Sequence, residues 1–252
     1  MREIFEAVLY QPIFNAFIGL YDLIPDVGIA ILILTVVIKL ALYPMTKKSI
    51  VAQKSLQDIQ PKLDIIKKEH KGDQQTIAQE TMKLYKEHKV NPFGSCLPIL
   101  VQLPIFLALY WVLRSALTDP NFELLYSFIP RPESIKALSL GFLDLAGPNI
   151  FLAVAAGAAQ FWQAKTMSTK KAPKKAGDGA KDENMMAMMN KQMLYFMPVL
   201  TVFIGFQLPG GVMLYWFLST LITALQQQLM IGKKEKKEGV IEGEIIEEKE
   251  KK

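Results

Sequence analysis

The stretch ILTVVIKLALYPMTKKS, residues 33–49, sets a lysine among apolar neighbours. Lys39 follows twelve uncharged residues, 27–38, and precedes six more, 40–45. A charge at the centre of a bilayer costs roughly 2.5–3.5 kcal/mol on insertion scales, so such a lysine either snorkels to water or has water and a polar partner brought to it. Other apolar runs supply partners. Thr35 lies one turn before Lys39, and Gln102 stands between Pro98 and Pro104. Gln160 and Gln163 are three apart and flank Trp162; Tyr215, Ser219, Thr223 and Gln227 follow at four-residue steps, with Trp216 and Thr220 alongside. Hydroxyls and amides of this kind each hydrogen-bond neighbouring helices. Together, Lys39, Thr35, Gln102, Gln160, Gln163, Tyr215, Trp216, Ser219 and Thr223 can line one wet groove, because intramembrane polar groups face a cavity or the bundle interior.

The chemistry available to that set is recognition of polar and acidic groups, not bond making. Lys39 with Ser219 would be the one conceivable nucleophile–base pair, but no nucleophile elbow or oxyanion-donor motif accompanies it. HExxH, Walker A and GxGxxG are absent, and His70 and His88 have no second set of ligands nearby in sequence. No catalytic residue, metal or cofactor is expected, and the chain is read as a non-enzyme.

The elements that must position these residues follow from composition. Of 252 residues, 51% are hydrophobic, and the mean hydropathy is +0.21. The apolar content is clustered, as in a membrane protein. Five blocks approach the roughly 20 residues that cross a bilayer: 27–45, 95–117, 148–166, 194–208 and 211–231. The fourth is short, and Pro209-Gly210 divides it from the fifth, so these two read as a tight hairpin. Basic residues set the orientation. The 46–94 loop has ten lysines, the 167–193 loop six and the tail after Ile231 seven. The other side has Arg2, Arg131 and Lys136, with Arg114 near the outer end of the second span. The N-terminus is therefore expected outside and the C-terminus in the cytosol. Net charge +5 follows from this asymmetry and calls for no DNA partner. The single Cys96 excludes a disulfide framework.

The connecting segments differ in kind. Residues 1–26 carry one basic residue and no small-residue cleavage site, so no cleavable signal is expected. Ile4, Phe5, Val8, Leu9, Pro12 and Ile13 recur every three or four residues, which predicts an interfacial amphipathic helix. In 46–94, Leu56, Ile59, Leu63 and Ile66, then Ile77, Thr81, Leu84 and His88, predict a cytosolic helical hairpin turning at HKGDQ, with Pro61 at a first helical position. The 118–147 loop is external. TKKAPKKAGDGAKDEN, in the 167–193 loop, reads as a flexible linker, and MMAMMNKQM leads into the fourth span. Residues 232–252 balance seven lysines with seven glutamates and are expected to be disordered.

KLALYPMTKKS, KVNPFGSCLPILVQLPIFLALYWVL and MLYFMPVLTVFIGFQLPGGVMLYWFLSTLITALQQQLM resemble the YidC/Oxa family of membrane protein insertases. The likeness covers about 10–231 and is to the five-span core alone, without the large periplasmic domain that precedes it in many Gram-negative members. It implies an all-α polytopic protein of the bacterial plasma (inner) membrane with a hydrophilic groove open to the cytosol and to lipid. It also implies that Lys39 occupies the place of a positive residue in the first core span, often Arg. Partners implied are nascent membrane proteins, the Sec translocon, the ribosome and signal recognition particle pathway, and the lipid bilayer. On that resemblance the function is insertase and chaperone: a client's polar stretch enters the groove, and its apolar segment leaves sideways into lipid, driven by apolar burial. The alternative is a small transporter or anion pore with Lys39 as its substrate site. Transporters often have repeated halves, and no second half here mirrors the first.

Overall fold

The computed structural model describes residues 2–70, 72–91, 94, 97–118, 122–167 and 192–250. The linker at 168–191 and Cys96 lie outside them. Helix α1 (Arg2–Phe5) passes through a π-helical turn (Glu6–Tyr10) into α2 (Gln11–Leu23). Pro12 cannot donate to the carbonyl four residues back, and Gln11 instead donates its N–H to the Glu6 carbonyl, one residue further than an α-helix allows. The expected apolar repeat is displaced. Ile4 and Val8 are exposed, while the buried face is Phe14, Phe17, Ile18 and Tyr21. By length and composition, 3–23 is able to cross a membrane, as is 100–117.

Helix α3 (Val27–Ala41) stops at Leu42, and the chain bends by 67° into α4 (Tyr43–Glu69). The expected span, 27–45, is thus broken four residues early. Pro44 has no N–H for the Leu40 carbonyl, so the ladder cannot continue straight. Lys39 therefore sits in the last turn of its helix, where the free carbonyl ends favour a cation. Helix α4 then runs through Pro61, which lies in the helix interior and not at a helix start. Helix α5 (Gln74–Glu87) is N-capped by Asp73, whose carboxylate accepts from the backbone N–H of Gln75 and Thr76. It packs on α4 through Ile59, Leu63, Leu84 and Val90. His88 of the expected seam is exposed.

Helices α6 (Leu97–Thr118), α7 (Ile150–Met167), α8 (Met197–Gly205) and α9 (Gly210–Glu250) complete the bundle, with a second π-helical turn, Gln192–Phe196, leading into α8. The α9 backbone continues well beyond 231, where the sequence suggests disorder. Glu and Lys, which make up most of that tail, are good helix formers. Helix α7 packs against both α8 and α9. Its contact with α8 depends on Gly157, where a Cβ would stand 2.5 Å from Val202 and 3.0 Å from the Pro198 carbonyl. Small residues at such crossings let membrane helices approach closely.

The 122–148 connection laces one end of the bundle. It carries a two-residue hairpin, β1 (Leu138–Ser139) with β2 (Leu143–Asp144). Asn15 donates to the Leu124 carbonyl and accepts from the Tyr126 N–H, and Gly211 donates to the Leu145 carbonyl. Asp26 is the central fastening. Its carboxylate N-caps α3 through the Ile29 N–H at 3.0 Å and also accepts from the Ser139 hydroxyl at 2.5 Å and the Leu140 N–H at 2.7 Å. A side chain at Gly28 would strike Ser139, so the two segments meet only because that residue is glycine. Burial acts to raise the Asp26 pKa, but the bonds from Leu140, Ser139, Ile29 and Gly28 prevail and hold it below the ordinary carboxylate value of 3.8. A depressed folded-state pKa gives stability that is present above the unfolded value and lost as pH falls through the folded one. Asp26→Ala is expected to cost about 1–2 kcal/mol at neutral pH, read as a lower unfolding midpoint in detergent. The deficit relative to the parent should shrink below pH 4; a deficit independent of pH would refute the ionised fastening.

The main core lies just beneath this laced end. Val27, Ala30, Ile31 and Leu34 meet Val112, Leu113, Val212 and Met213, all nearly or fully buried. On the side away from the laced end, α3, α6 and α9 carry the polar residues Lys39, Gln102 and Thr223.

Candidate functional site: a cavity around Lys39

Below the apolar core, α3, α6, α7 and α9 diverge around a cavity of about 360 Å³. Eight of the nine residues expected there line it: Lys39, Gln102, Gln160, Gln163, Tyr215, Trp216, Ser219 and Thr223. Thr35 does not. It is fully buried, and its hydroxyl donates to the Ile31 carbonyl at 2.6 Å, a bond within its own helix. Gln227, the last of the four-residue series, is buried but also stands outside the lining.

Among the described residues, Lys39 is the only charged one in the lining. It is 8% exposed, so it has exchanged bulk water for protein groups. Its Nζ donates to Thr223 Oγ1 at 3.0 Å and to Gln102 Oε1 at 3.5 Å. Thr223 in turn donates to the Ser219 carbonyl at 2.8 Å, and Gln102 Nε2 donates to the Tyr215 hydroxyl at 2.5 Å. No carboxylate lines the cavity, so among the described residues the ammonium is solvated by neutral dipoles alone. On the opposite wall, Gln160 accepts from the Thr201 hydroxyl of α8. Phe106 meets Trp216 edge to face, with ring centroids 5.0 Å apart. Leu103, 57% exposed, stands at the rim.

Several lining residues went unrecognised in the sequence. Thr46 is seven residues after Lys39, two helical turns, but falls just beyond the apolar block that defines the span. Phe106 follows Gln102 by one turn, and its signal is that of any lipid-facing aromatic. Leu42 and Met45 enter because of the bend at Pro44. Arg114 is exposed near the laced end, where it donates to the Tyr110 hydroxyl at 3.0 Å and lies over the Trp111 ring.

Comparison with known proteins places this geometry. A family model described as the 60Kd inner membrane protein matches residues 19–238. A membrane protein insertase YidC of Fusobacterium nucleatum is 37% identical over 206 residues, 82% of this chain and 86% of that protein. The membrane protein insertase YidC of Haemophilus influenzae is 34% identical over 230 residues, 90% of this chain but 37% of its own length. The fold is similar to that of an active YidC insertase crystal structure with its first transmembrane domain resolved. That likeness has a TM-score of 0.60 at 26% identity, and covers 88% of this chain and 45% of the other. The extent of these matches means that the chain belongs to the 60Kd inner membrane protein family, that of the YidC membrane protein insertases.

Proposed function

We propose that this chain receives nascent membrane proteins in the cavity around Lys39 and releases their apolar segments sideways into the bilayer. The observation that carries the reading is the placement of an unpaired cation among neutral polar groups, directly beneath an apolar plug. A client's polar or acidic stretch that reaches Lys39 has hydrocarbon left to cross only along the plug. Gln102, Gln160, Gln163 and the Ser219–Thr223 face replace part of its lost water. Trp216 and Phe106 offer apolar surface to the adjoining hydrophobic segment. No nucleotide is needed, because burial of that segment in lipid drives its exit.

In this reading the bundle has five spans in an inner membrane, with the 122–148 connection outside and the α4–α5 pair in the cytosol. The lysine-rich sides of that pair suit the ribosome and signal recognition particle pathway, and the core acts alone or beside the Sec translocon. Arg114 and its Trp111 neighbour then mark the outer headgroup level.

The test is directional. Reconstituted in liposomes, the protein is expected to insert a short test protein without passing small anions. Single cysteines along 27–39 should react with a membrane-impermeant thiol reagent from the cytosolic side near Lys39 and stay unreactive from outside beyond the first turn. Continuous labelling from outside down to position 39, with anion flux, would make the protein a pore.

A further inference from the structure

Lys39 has three ammonium protons, and two of them meet acceptors whose direction is fixed by a bond on the far side. Thr223 gives its own proton to the Ser219 carbonyl, so it turns a lone pair towards Nζ. Gln102 is the ambivalent member, since an amide presents either a carbonyl or an NH2 group. Its Nε2 donates to the Tyr215 hydroxyl, which also bonds the Ser219 side chain; with the phenol proton given to Ser219, the tyrosine can only accept from Gln102, and Oε1 is left for the lysine. Tyr215 itself is 1% exposed on α9, in the apolar layer where the plug ends. It also lines the cavity, and its hydroxyl meets the side chains of Gln102 and Ser219. The flipped amide would set two donors against a cation.

We propose that Tyr215 and Gln102 form a positioning relay that shows Lys39 only acceptors, holding its ammonium in place while leaving one proton for an acidic group of the client. The relay rests on the reading of this cavity as the client groove. It assigns Tyr215 a role that a merely space-filling aromatic would not have: its hydroxyl, acting through Gln102, sets the selectivity for acidic stretches.

The experiment uses the full chain in proteoliposomes and two clients, one with two aspartates in its translocated segment and one with asparagines there. Protease protection of that segment gives the ratio of aspartate to asparagine insertion. Tyr215→Phe, which keeps the ring, should lower the ratio roughly three- to tenfold, the range of one hydrogen bond between neutral groups. Gln102→Glu should lower it further, because a carboxylate then pairs with Lys39 and competes with the client; this variant keeps the test alive if Tyr215→Phe misfolds. In a Lys39→Arg background the planar guanidinium spreads its donors over several directions. Adding Tyr215→Phe there should change the ratio less than about twofold relative to Lys39→Arg alone. An unchanged ratio in Tyr215→Phe would overturn the relay, as would an equal loss of both clients in both backgrounds. If Lys39→Glu also leaves the ratio unchanged, the groove reading fails and not the relay alone.

Discussion

Lys39→Glu is expected to reduce insertion of clients with acidic translocated segments by about tenfold or more, while clients with neutral segments lose less. Two unit charges 4 Å apart interact by about 4 kcal/mol at an effective dielectric of 20. The substitution turns that attraction into a repulsion of similar size, set against a tenfold change for each 1.4 kcal/mol. Screening by water entering the cavity reduces the net figure, so tenfold is a floor for a guest carboxylate that reaches Nζ. The neighbourhood makes the effect specific. Thr223 Oγ1 and Gln102 Oε1 face position 39 as acceptors, and a carboxylate there would meet them lone pair to lone pair. Lys39→Arg restores a cation and should retain preference for acidic clients. The measurement is protease protection of the translocated segment in proteoliposomes, for paired clients that differ only in two acidic residues. Equal losses for both clients would remove Lys39 from client recognition and leave it a structural role.

Much of this site was legible in the sequence because membrane burial makes polar residues conspicuous. Gln102, Gln160, Gln163 and the Tyr215–Ser219–Thr223 series stand out against apolar runs, and helical spacing alone puts each set on one face. All six line the cavity with Lys39. Thr35 passed the same test and lies outside, because a threonine in a helix has a second outlet: its hydroxyl reaches the carbonyl four residues back. Spacing cannot tell these two outcomes apart. The ends of elements were less readable. Pro44 announced a break but not its 67° angle, and that angle brings Leu42, Met45 and Thr46 to the cavity. Pro61 misled in the other direction: one missing hydrogen bond was tolerated inside a 27-residue helix. The fastening of Asp26 to Ser139 and Leu140 joins residues more than a hundred apart in the chain, and nothing local to either segment encodes it.

Deleting residues 60–86 is expected to leave the bundle folded and to lower insertion of ribosome-delivered clients about fivefold or more, an order-of-magnitude figure for losing a delivery contact worth about 1 kcal/mol or more. The structural half of this follows from how the two cores are divided. The main cluster, from Phe14 to Tyr215, contains no residue of 60–86. The α4–α5 pair has its own small cluster of Ile59, Leu63, Leu84 and Val90. Four aliphatic side chains are a small core for two helices, so the pair's own stability rests on little apolar burial. A marginal, lysine-rich hairpin suits capture of acidic or RNA-containing partners and contributes little to the bundle's own stability. Two measurements separate these claims: the thermal unfolding midpoint of the deletion variant in detergent should stay within a few degrees of the parent, while insertion of ribosome-bound clients falls. Leu63→Asp offers a milder version, since one carboxylate in the small cluster should part the helices without shortening the chain. Unchanged insertion in both variants would refute the delivery role, and a large drop in the unfolding midpoint would show that the hairpin braces the bundle instead.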